Sequence, residues 1–483
     1  MLYKLKNKEL GGFQVLFRSF NDENLAHMSY LVGCQRTGEA IVIDPARNID
    51  VYIEEAKKEG LVITAATETH IHADFVSGCK EIAKKTGAKL YLSDEGTEDW
   101  KYQYLNEVEY ELVKEGSIFK VGNVEFEVIH TPGHTPESIS FILTDIGGGS
   151  SEPMGIFSGD FVFVGDIGRP DLLEKAAGIV GTAEPGARQM YQSLKKFKDL
   201  PDYLQVWPAH GAGSACGKAL GAVPVSTVGY EKLNNWALNI NNEEEFVKVL
   251  LAGQPEPPLY FAMMKKLNKI GPDYISSKQI PAIESISELE KLSQPSTVII
   301  DTRSAKEYAK GHLPGTISIP FNKSLTNWAG WFVSYEQDIV LIAETETLPQ
   351  LKKALNSIGL DRIVGIVNPV LVENSPLLES YEEINVTQLE DYLSNDQYCL
   401  IDVRGQSEWD EGRLPTAKHI MLGTLEKRLD EIPTGKTCIL QCRSGARSAI
   451  AASVLQANGI KNVINLEGGY LAWAKEKLPI IKA

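Results

Sequence analysis

The sequence is poor in the arrangements cysteines usually make: none of its six cysteines (Cys34, Cys79, Cys216, Cys399, Cys438 and Cys442) falls in Cys-x-x-Cys spacing. That excludes a zinc ribbon and a small disulfide scaffold, and predicts mostly reduced thiols. No run of about 18 apolar residues occurs, so no membrane span is expected. Met1-Leu-Tyr-Lys-Leu-Lys-Asn-Lys8 lacks the apolar core of a secretory signal, which points to the cytoplasm. Basic patches are missing as well. Against 48 Lys and Arg stand 64 Asp and Glu, a formal charge of -16, which repels nucleic acid and anionic membrane surfaces. The glycine-rich stretch Gly147-Gly-Gly-Ser-Ser151 lacks the Gly-Lys-Ser/Thr of a phosphate loop and reads as a hairpin loop.

What is present is ordinary globular material in quantity. The chain has 483 residues, 43% hydrophobic and 23% charged, enough for about three domains with cores of their own. Residues 1–275 alternate short β-like runs, such as Ala40-Ile-Val-Ile-Asp44 and Val124-Glu-Phe-Glu-Val-Ile129, with polar helical stretches, a mixed α/β pattern. The second half repeats itself. Val298-Ile-Ile-Asp301-Thr-Arg303 with Glu307, Gly311, Leu313 and Pro314 recurs, at a constant offset of 101, as Cys399-Leu-Ile-Asp402-Val-Arg404 with Glu408, Gly412, Leu414 and Pro415. A period that long means duplicated domains and not a solenoid. In each copy a buried strand, a helix and a Gly-x-Leu-Pro turn follow one another, which predicts parallel sheets with helices on their faces. The expected domains are 1–275, 281–372 and 380–483.

Four predicted strands in the first domain end in metal-ligand types. Val62-Ile-Thr runs into Thr69-His70-Ile71-His72-Ala73-Asp74-Phe75; the others lead to His130-Thr-Pro-Gly-His134, Phe157-Ser-Gly-Asp160 and Trp207-Pro-Ala-His210. Strand carboxyl ends are where ligand sites gather in α/β folds, and packing does not explain four such ends at once, so a metal site is expected. These residues resemble the metallo-β-lactamase superfamily over roughly the first 240 residues, which implies an αβ/βα sandwich. The superfamily pattern His-x-His-x-Asp-His is broken at its last position by Phe75, which speaks against a binuclear zinc site.

The segments Thr69–Gly78, Thr131-Pro-Gly-His134-Thr, Ser158-Gly-Asp160, Gly168-Arg-Pro-Asp171 and Pro208-Ala-His210-Gly resemble the persulfide dioxygenases. That resemblance implies one Fe(II) held by His70, His134 and Asp160. Two imidazoles and one carboxylate on one face of ferrous iron leave positions for oxygen and a sulfur substrate. His72, Asp74 and His210 would then orient the ligands, or be vestigial ones. Arg169 could pair with Asp171 or contact the substrate, and Cys216, six residues after His210, could line the cavity and carry a persulfide. His27, His130, His312 and His419, with Cys34, Cys79, Cys399 and Cys438, read as packing residues.

Near the carboxyl end, Thr437-Cys-Ile-Leu-Gln441 delivers Cys442 into Cys442-Arg443-Ser-Gly-Ala-Arg447-Ser448, and a helix closed by Asn458-Gly459 follows. Backbone N–H groups at that helix start, with Arg443 and Arg447, are expected to favour the thiolate. This half resembles a tandem rhodanese, supported by Asp402-Val-Arg404 and Leu466-Glu-Gly-Gly469-Tyr470, which makes Cys442, Arg443 and Arg447 the catalytic candidates. Four residues separate Cys442 from Arg447; the related phosphatases have five, so the shorter loop favours sulfur over phosphate. The first copy has Ala343 at the cysteine position and Glu344 and Glu346 where the arginines should be, so it is expected to be inactive and could supply a dimer surface.

The combined resemblance implies a persulfide dioxygenase fused to a sulfurtransferase. A low-molecular-weight thiol persulfide and O2 would give sulfite, and Cys442 would pass sulfane sulfur to sulfite to give thiosulfate, a route of sulfide detoxification. The thiol carrier (glutathione, coenzyme A, bacillithiol or cysteine) stays open. So does a zinc-dependent, glyoxalase II-like thioester hydrolase with a sulfurtransferase tail.

Overall fold

The structure is a computed structural model and describes residues 15–218 and 220–482; the stretch read above for a signal sequence lies outside the described residues. The chain forms two compact units, the second opening at Ser276.

The first unit holds two six-stranded sheets in simple strand order. One is built from β1 (Val15–Asp22), β2 (His27–Cys34), β3 (Glu39–Ile43), β4 (Val62–Thr67), β5 (Lys89–Ser93) and β6 (Tyr110–Val113). The other comprises β7 (Ile118–Val121), β8 (Val124–His130), β9 (Ile139–Asp145), β10 (Gly155–Gly159), β11 (Gln205–Pro208) and β12 (Ser226–Thr227). Apolar residues on alternate strand positions decide how they stack, because successive side chains point to opposite faces. Leu31, Ala40, Val42 and Ala66 join a core with helix residues Tyr52, Ala56, Ile82 and Ala83. Their neighbours Tyr30, Val32, Ile41 and Ile43 face Phe126, Phe141, Phe157 and Trp207 of the second sheet. Ile142, Ile156 and Val206 then pack on the helix Ala183–Asp199 through Ala187, Leu194 and Phe197. The result is helix, sheet, sheet, helix, the expected αβ/βα sandwich. Each fully buried aromatic of the central layer contributes about 2–3 kcal/mol by leaving water.

The second unit holds two five-stranded sheets. The first comprises β13 (Ala282–Ile283), β14 (Thr297–Asp301), β15 (Ile317–Ser318), β16 (Asp338–Ile342) and β17 (Ile363–Val367); the second comprises β18 (Glu382–Ile384), β19 (Tyr398–Asp402), β20 (Lys418–His419), β21 (Thr437–Gln441) and β22 (Val463–Leu466). Their orders, β13-β17-β16-β14-β15 and β18-β22-β21-β19-β20, are the same order shifted by five strands, and every pairing is parallel. The repeated Asp-x-Arg has one job in both copies. Arg303 grips Asp301 and donates to the Gly311 carbonyl at 2.9 Å, and Arg404 grips Asp402 and donates to the Gly412 carbonyl at 2.8 Å. These buried pairs tie the strand end to the turn after the next helix. No helix among the described residues is long and apolar enough to cross a membrane.

Candidate metal centre and sulfur-transfer loop

The loops leaving β4, β8, β10 and β11 at their carboxyl ends bring His70, His72, Asp74, His134, Asp160 and His210 together, all buried. The sharp exit from β10 needs Gly159: its φ is +55°, and a Cβ there would lie 2.4 Å from Thr69 Oγ1. The donor atoms of His70, His134 and Asp160 fall within 4.8 Å of one another, and so do those of Asp74, His210 and Cys216.

Hydrogen bonds on the far side of each ring fix which nitrogen faces inward. His134 Nδ1 donates to the Arg169 carbonyl at 2.8 Å, and His210 Nδ1 donates to the Ala26 carbonyl at 3.1 Å. Thr69 Oγ1, itself a donor to Asp44, accepts from His70 Nδ1 at 3.0 Å. Nε2 of all three rings is thereby the nitrogen aimed at carboxylates, 3.9 Å (His70), 3.4 Å (His134) and 3.3 Å (His210) from Asp160. These nitrogens and both oxygens of Asp74 and of Asp160 have no hydrogen-bond partner among the described residues. Lone pairs facing lone pairs away from water are unfavourable unless a cation lies between them. Burial accordingly pushes Asp74 and Asp160 up to about 6 and His134 down to about 4. The donor set fits a metal ion.

His72 stands apart. Its Nε2 lies 3.1 Å from Asp44 Oδ1, and although burial disfavours its charged form, Asp44, with Glu68 and Asp74, lifts it to about 9. Phe75 fills the space beside it, its ring centroid 4.3 Å from His72 and 3.8 Å from His27.

Sequence reasoning missed several residues here. Asp44 follows β3 just as Asp160 follows β10, a signal present in the run Ala40–Asp44; it accepts from Thr69 N at 2.6 Å as well as meeting His72. Glu137 accepts from Ile71 N at 2.8 Å, and Asn268, on the helix Phe261–Ile270, donates to the His72 and Phe75 carbonyls at 2.8 and 2.7 Å. His27, read as a packing residue, is buried against the cluster with neither ring nitrogen hydrogen-bonded among the described residues. His130 instead donates to the Pro136 carbonyl at 2.9 Å.

Two candidates look different in three dimensions. Arg169, considered for substrate contact, is 0% exposed and committed within the protein: it pairs with both oxygens of Asp171 at 2.7 Å and donates to the Ala215 and Pro255 carbonyls. The bland ion pair is what the geometry shows, with the Arg169 carbonyl holding His134. Cys216 does reach the cluster, but burial and the charges of Asp160 and Asp74 push its thiol well above the ordinary range.

In the second unit β21 delivers a buried Cys442. Its Sγ accepts from Gly445 N at 3.1 Å and from Ser448 Oγ at 3.4 Å. The Gly468-Gly469-Tyr470 turn props the loop from behind. Tyr470 N donates to the Cys442 carbonyl at 2.8 Å, and a Cβ on Gly469 would lie 2.2 Å from that oxygen. Arg443 is exposed, whereas Arg447 pairs with Glu408. In the first copy Ala343 is buried after β16, and Thr345–Thr347 form a tight 3-10 turn in place of the thiol loop. Cys399 and Cys438 face each other across β19 and β21 as free thiols 3.6 Å apart.

Known families match both parts. The Metallo-beta-lactamase superfamily matches residues 23–210, and the Rhodanese-like domain matches twice, at 285–369 and 385–476. A crystal structure of a metallo-beta-lactamase from Staphylococcus aureus is 46% identical, covers 73% of this chain and 99% of its own, and superposes with a TM-score of 0.67. The mitochondrial persulfide dioxygenase ETHE1 of Mus musculus is 27% identical over 260 residues, 51% of this chain and 85% of that protein. A sulfurtransferase of Allochromatium vinosum is 36% identical over 100 residues, 20% of this chain and 94% of that protein. The chain spans about half the length, 56% and 54%, of two beta-lactamase hydrolase-like proteins it also matches. The inward-facing His and Asp donors, the sandwich that carries them and the duplicated parallel sheets agree with these matches: the chain belongs to the metallo-beta-lactamase superfamily, with two rhodanese-like domains following the metal-binding one.

Proposed function

We propose that this chain is a persulfide dioxygenase joined to a sulfurtransferase. In the first reaction a small thiol persulfide, oxygen and water give sulfite and the free thiol. In the second, the Cys442 thiolate takes the outer sulfur of another persulfide, releasing its thiol, and sulfite removes that sulfur from Cys442 as thiosulfate. Sulfide would be detoxified by this route.

The observation that carries the reading is the cluster of His70, His134 and Asp160, with donors turned inward and unpartnered, beside Phe75 in place of a further histidine. Those three residues would hold one Fe(II), which when bound would supply oxygen activation next to the sulfur. The protein's own part is to set tautomers and exclude water: carbonyls 26 and 169 and Thr69 keep each Nε2 free, and burial of every donor keeps the site dry. At the other station Gly445 N and Ser448 Oγ support the thiolate while it attacks and leaves. Support also comes from the likeness to the mouse persulfide dioxygenase and to the Allochromatium sulfurtransferase.

The second donor group, Asp74, His210 and Cys216, favours a different reading, a two-metal zinc hydrolase with a sulfurtransferase tail. Metal analysis and an oxygen electrode decide between them. One iron per chain with persulfide-dependent oxygen uptake supports the dioxygenase; two zinc ions, thioester hydrolysis and no oxygen uptake replace it. Cys442→Ser should keep oxygen uptake and accumulate sulfite in place of thiosulfate; an unchanged thiosulfate yield rejects the coupling.

A further inference from the structure

A narrow cleft opens on the N-terminal site, lined by Ile71, Trp100, His134, Leu172, Phe261 and Lys265 among others. Its walls are otherwise apolar or neutral. Lys265, on the helix that also clamps the His72–Phe75 loop through Asn268, is the one fixed cation among them. Its ammonium sits 3.5 Å from the centroid of the Trp100 ring and makes no hydrogen bond or ion pair with any described residue. Lys80, Lys85, Lys89 and Lys101 of the same unit, by contrast, each hold a carboxylate within 3.1 Å.

A half-buried ammonium that rests on a ring face and is paired with no carboxylate keeps its donors available to an anionic ligand. The charged groups around it are Glu137, on the loop after β8, with Lys269 and Asp99. None is within ion-pair distance. Burial lowers Lys265 to about 8, so near neutral pH it remains mostly protonated, while burial raises Glu137 to about 7 and weakens its claim on the ammonium. A single unmatched cation sharing a narrow cleft with a metal-facing imidazole implies a ligand with a soft end and an anionic end.

We propose that Lys265 anchors the carboxylate of a small thiol persulfide whose sulfur end lies at the metal-facing side of the cleft. This rests on the persulfide reading for the reaction, but not for the anion site itself. Lys265 is then a specificity residue: persulfides of carboxylate-bearing thiols are favoured over neutral ones, and the cation sets binding without taking part in the chemistry.

Binding is tested without turnover, by calorimetry on the full chain with S-methylglutathione and with its diethyl ester, in wild type, Lys265→Met and Lys265→Arg. The acid should bind about tenfold more weakly to Lys265→Met than to wild type, Lys265→Arg should restore it, and the ester should bind all three alike. The anchor is rejected if Lys265→Met binds the acid as wild type does, if acid and ester weaken together, or if wild type does not prefer the acid. Oxygen uptake adds a second readout. With glutathione persulfide, Lys265→Met should raise KM about tenfold and keep kcat, while KM for 2-mercaptoethanol persulfide should not change. If wild type consumes no oxygen with either persulfide, the dioxygenase reading fails, and the calorimetry still decides the anchor.

Discussion

Arg447 and Glu408 meet in a two-point pairing, Nη1 to Oε2 at 2.6 Å and Nη2 to Oε1 at 2.7 Å. The pairing ties the first turn of the helix Ala446–Ala457 to the helix Gln406–Glu411. It turns Arg447 from a free cation of the loop into a strut and leaves Arg443 as the exposed charge beside Cys442. Burial works against an ionised Glu408, but the Arg447 guanidinium outweighs it and holds the carboxyl below the usual range. Such a depressed group adds stability that is complete above its unfolded pKa, about 4.3, and is lost as pH falls through its folded value. Glu408→Gln should therefore cost the second unit about 1–2 kcal/mol at pH 7 and progressively less below about pH 4. Urea unfolding at pH 7 and pH 3.5 checks this; an equal difference at both would assign the cost to something other than charge.

Gly469 touches the thiol loop so closely that even a methyl group has no room beneath the Cys442 carbonyl, and its φ of +49° already disfavours a side chain. Gly469→Ala should displace Cys442 and cut sulfur transfer from persulfide to sulfite at least about tenfold, a strain of about 1–3 kcal/mol being released by moving the loop. Oxygen uptake should not change. Equal loss of both activities would mean general misfolding.

Asn268 makes three buried hydrogen bonds, accepting from Ser77 N at 2.9 Å and donating to the His72 and Phe75 carbonyls. Asn268→Ala leaves those groups unpaired and opens a hole, a cost of about 2–4 kcal/mol. Because the clamp holds the loop carrying His70 and Asp74, metal affinity should fall about tenfold or more. Unfolding curves and a metal titration measure the two effects separately.

Removing the metal with a chelator should lower the first unit's melting temperature and leave the second unit's transition where it was. The inward lone pairs of Asp74, Asp160 and the three imidazoles lose the charge that reconciles them. Scanning calorimetry before chelation, after it and after reloading checks this. A first transition that ignores the metal would mean the cluster is stable without one.

The duplicated half was legible because the same residues recur at one offset, and the strand orders of the two sheets repeat accordingly. The four strand ends bearing His or Asp were legible for the same local reason, each motif being a short run next to an apolar strand. What stayed hidden acts across the chain. Asp44 reaches His72 across 28 residues, Glu137 reaches Ile71 across 66, and Asn268 reaches His72 across 196. Nothing in the residues around Arg169 discloses that the carbonyls of Ala215 and Pro255 occupy its guanidinium. Identity of sequence also concealed a difference of role. Glu307 and Glu408 occupy equivalent places in the repeat and each accepts from the backbone N of its helix cap, Ser304 at 2.9 Å and Gly405 at 3.2 Å, yet Glu408 also holds Arg447.

On the proposed chemistry Ala343, where the later copy has Cys442, leaves each chain a single transfer thiol per metal cluster. Every molecule of product then draws one sulfur atom through each station, so the two fluxes must be equal. There is no second thiol to absorb an excess: whenever oxidation outruns transfer, the surplus leaves as free sulfite, and the leak is set by how quickly one cysteine reloads.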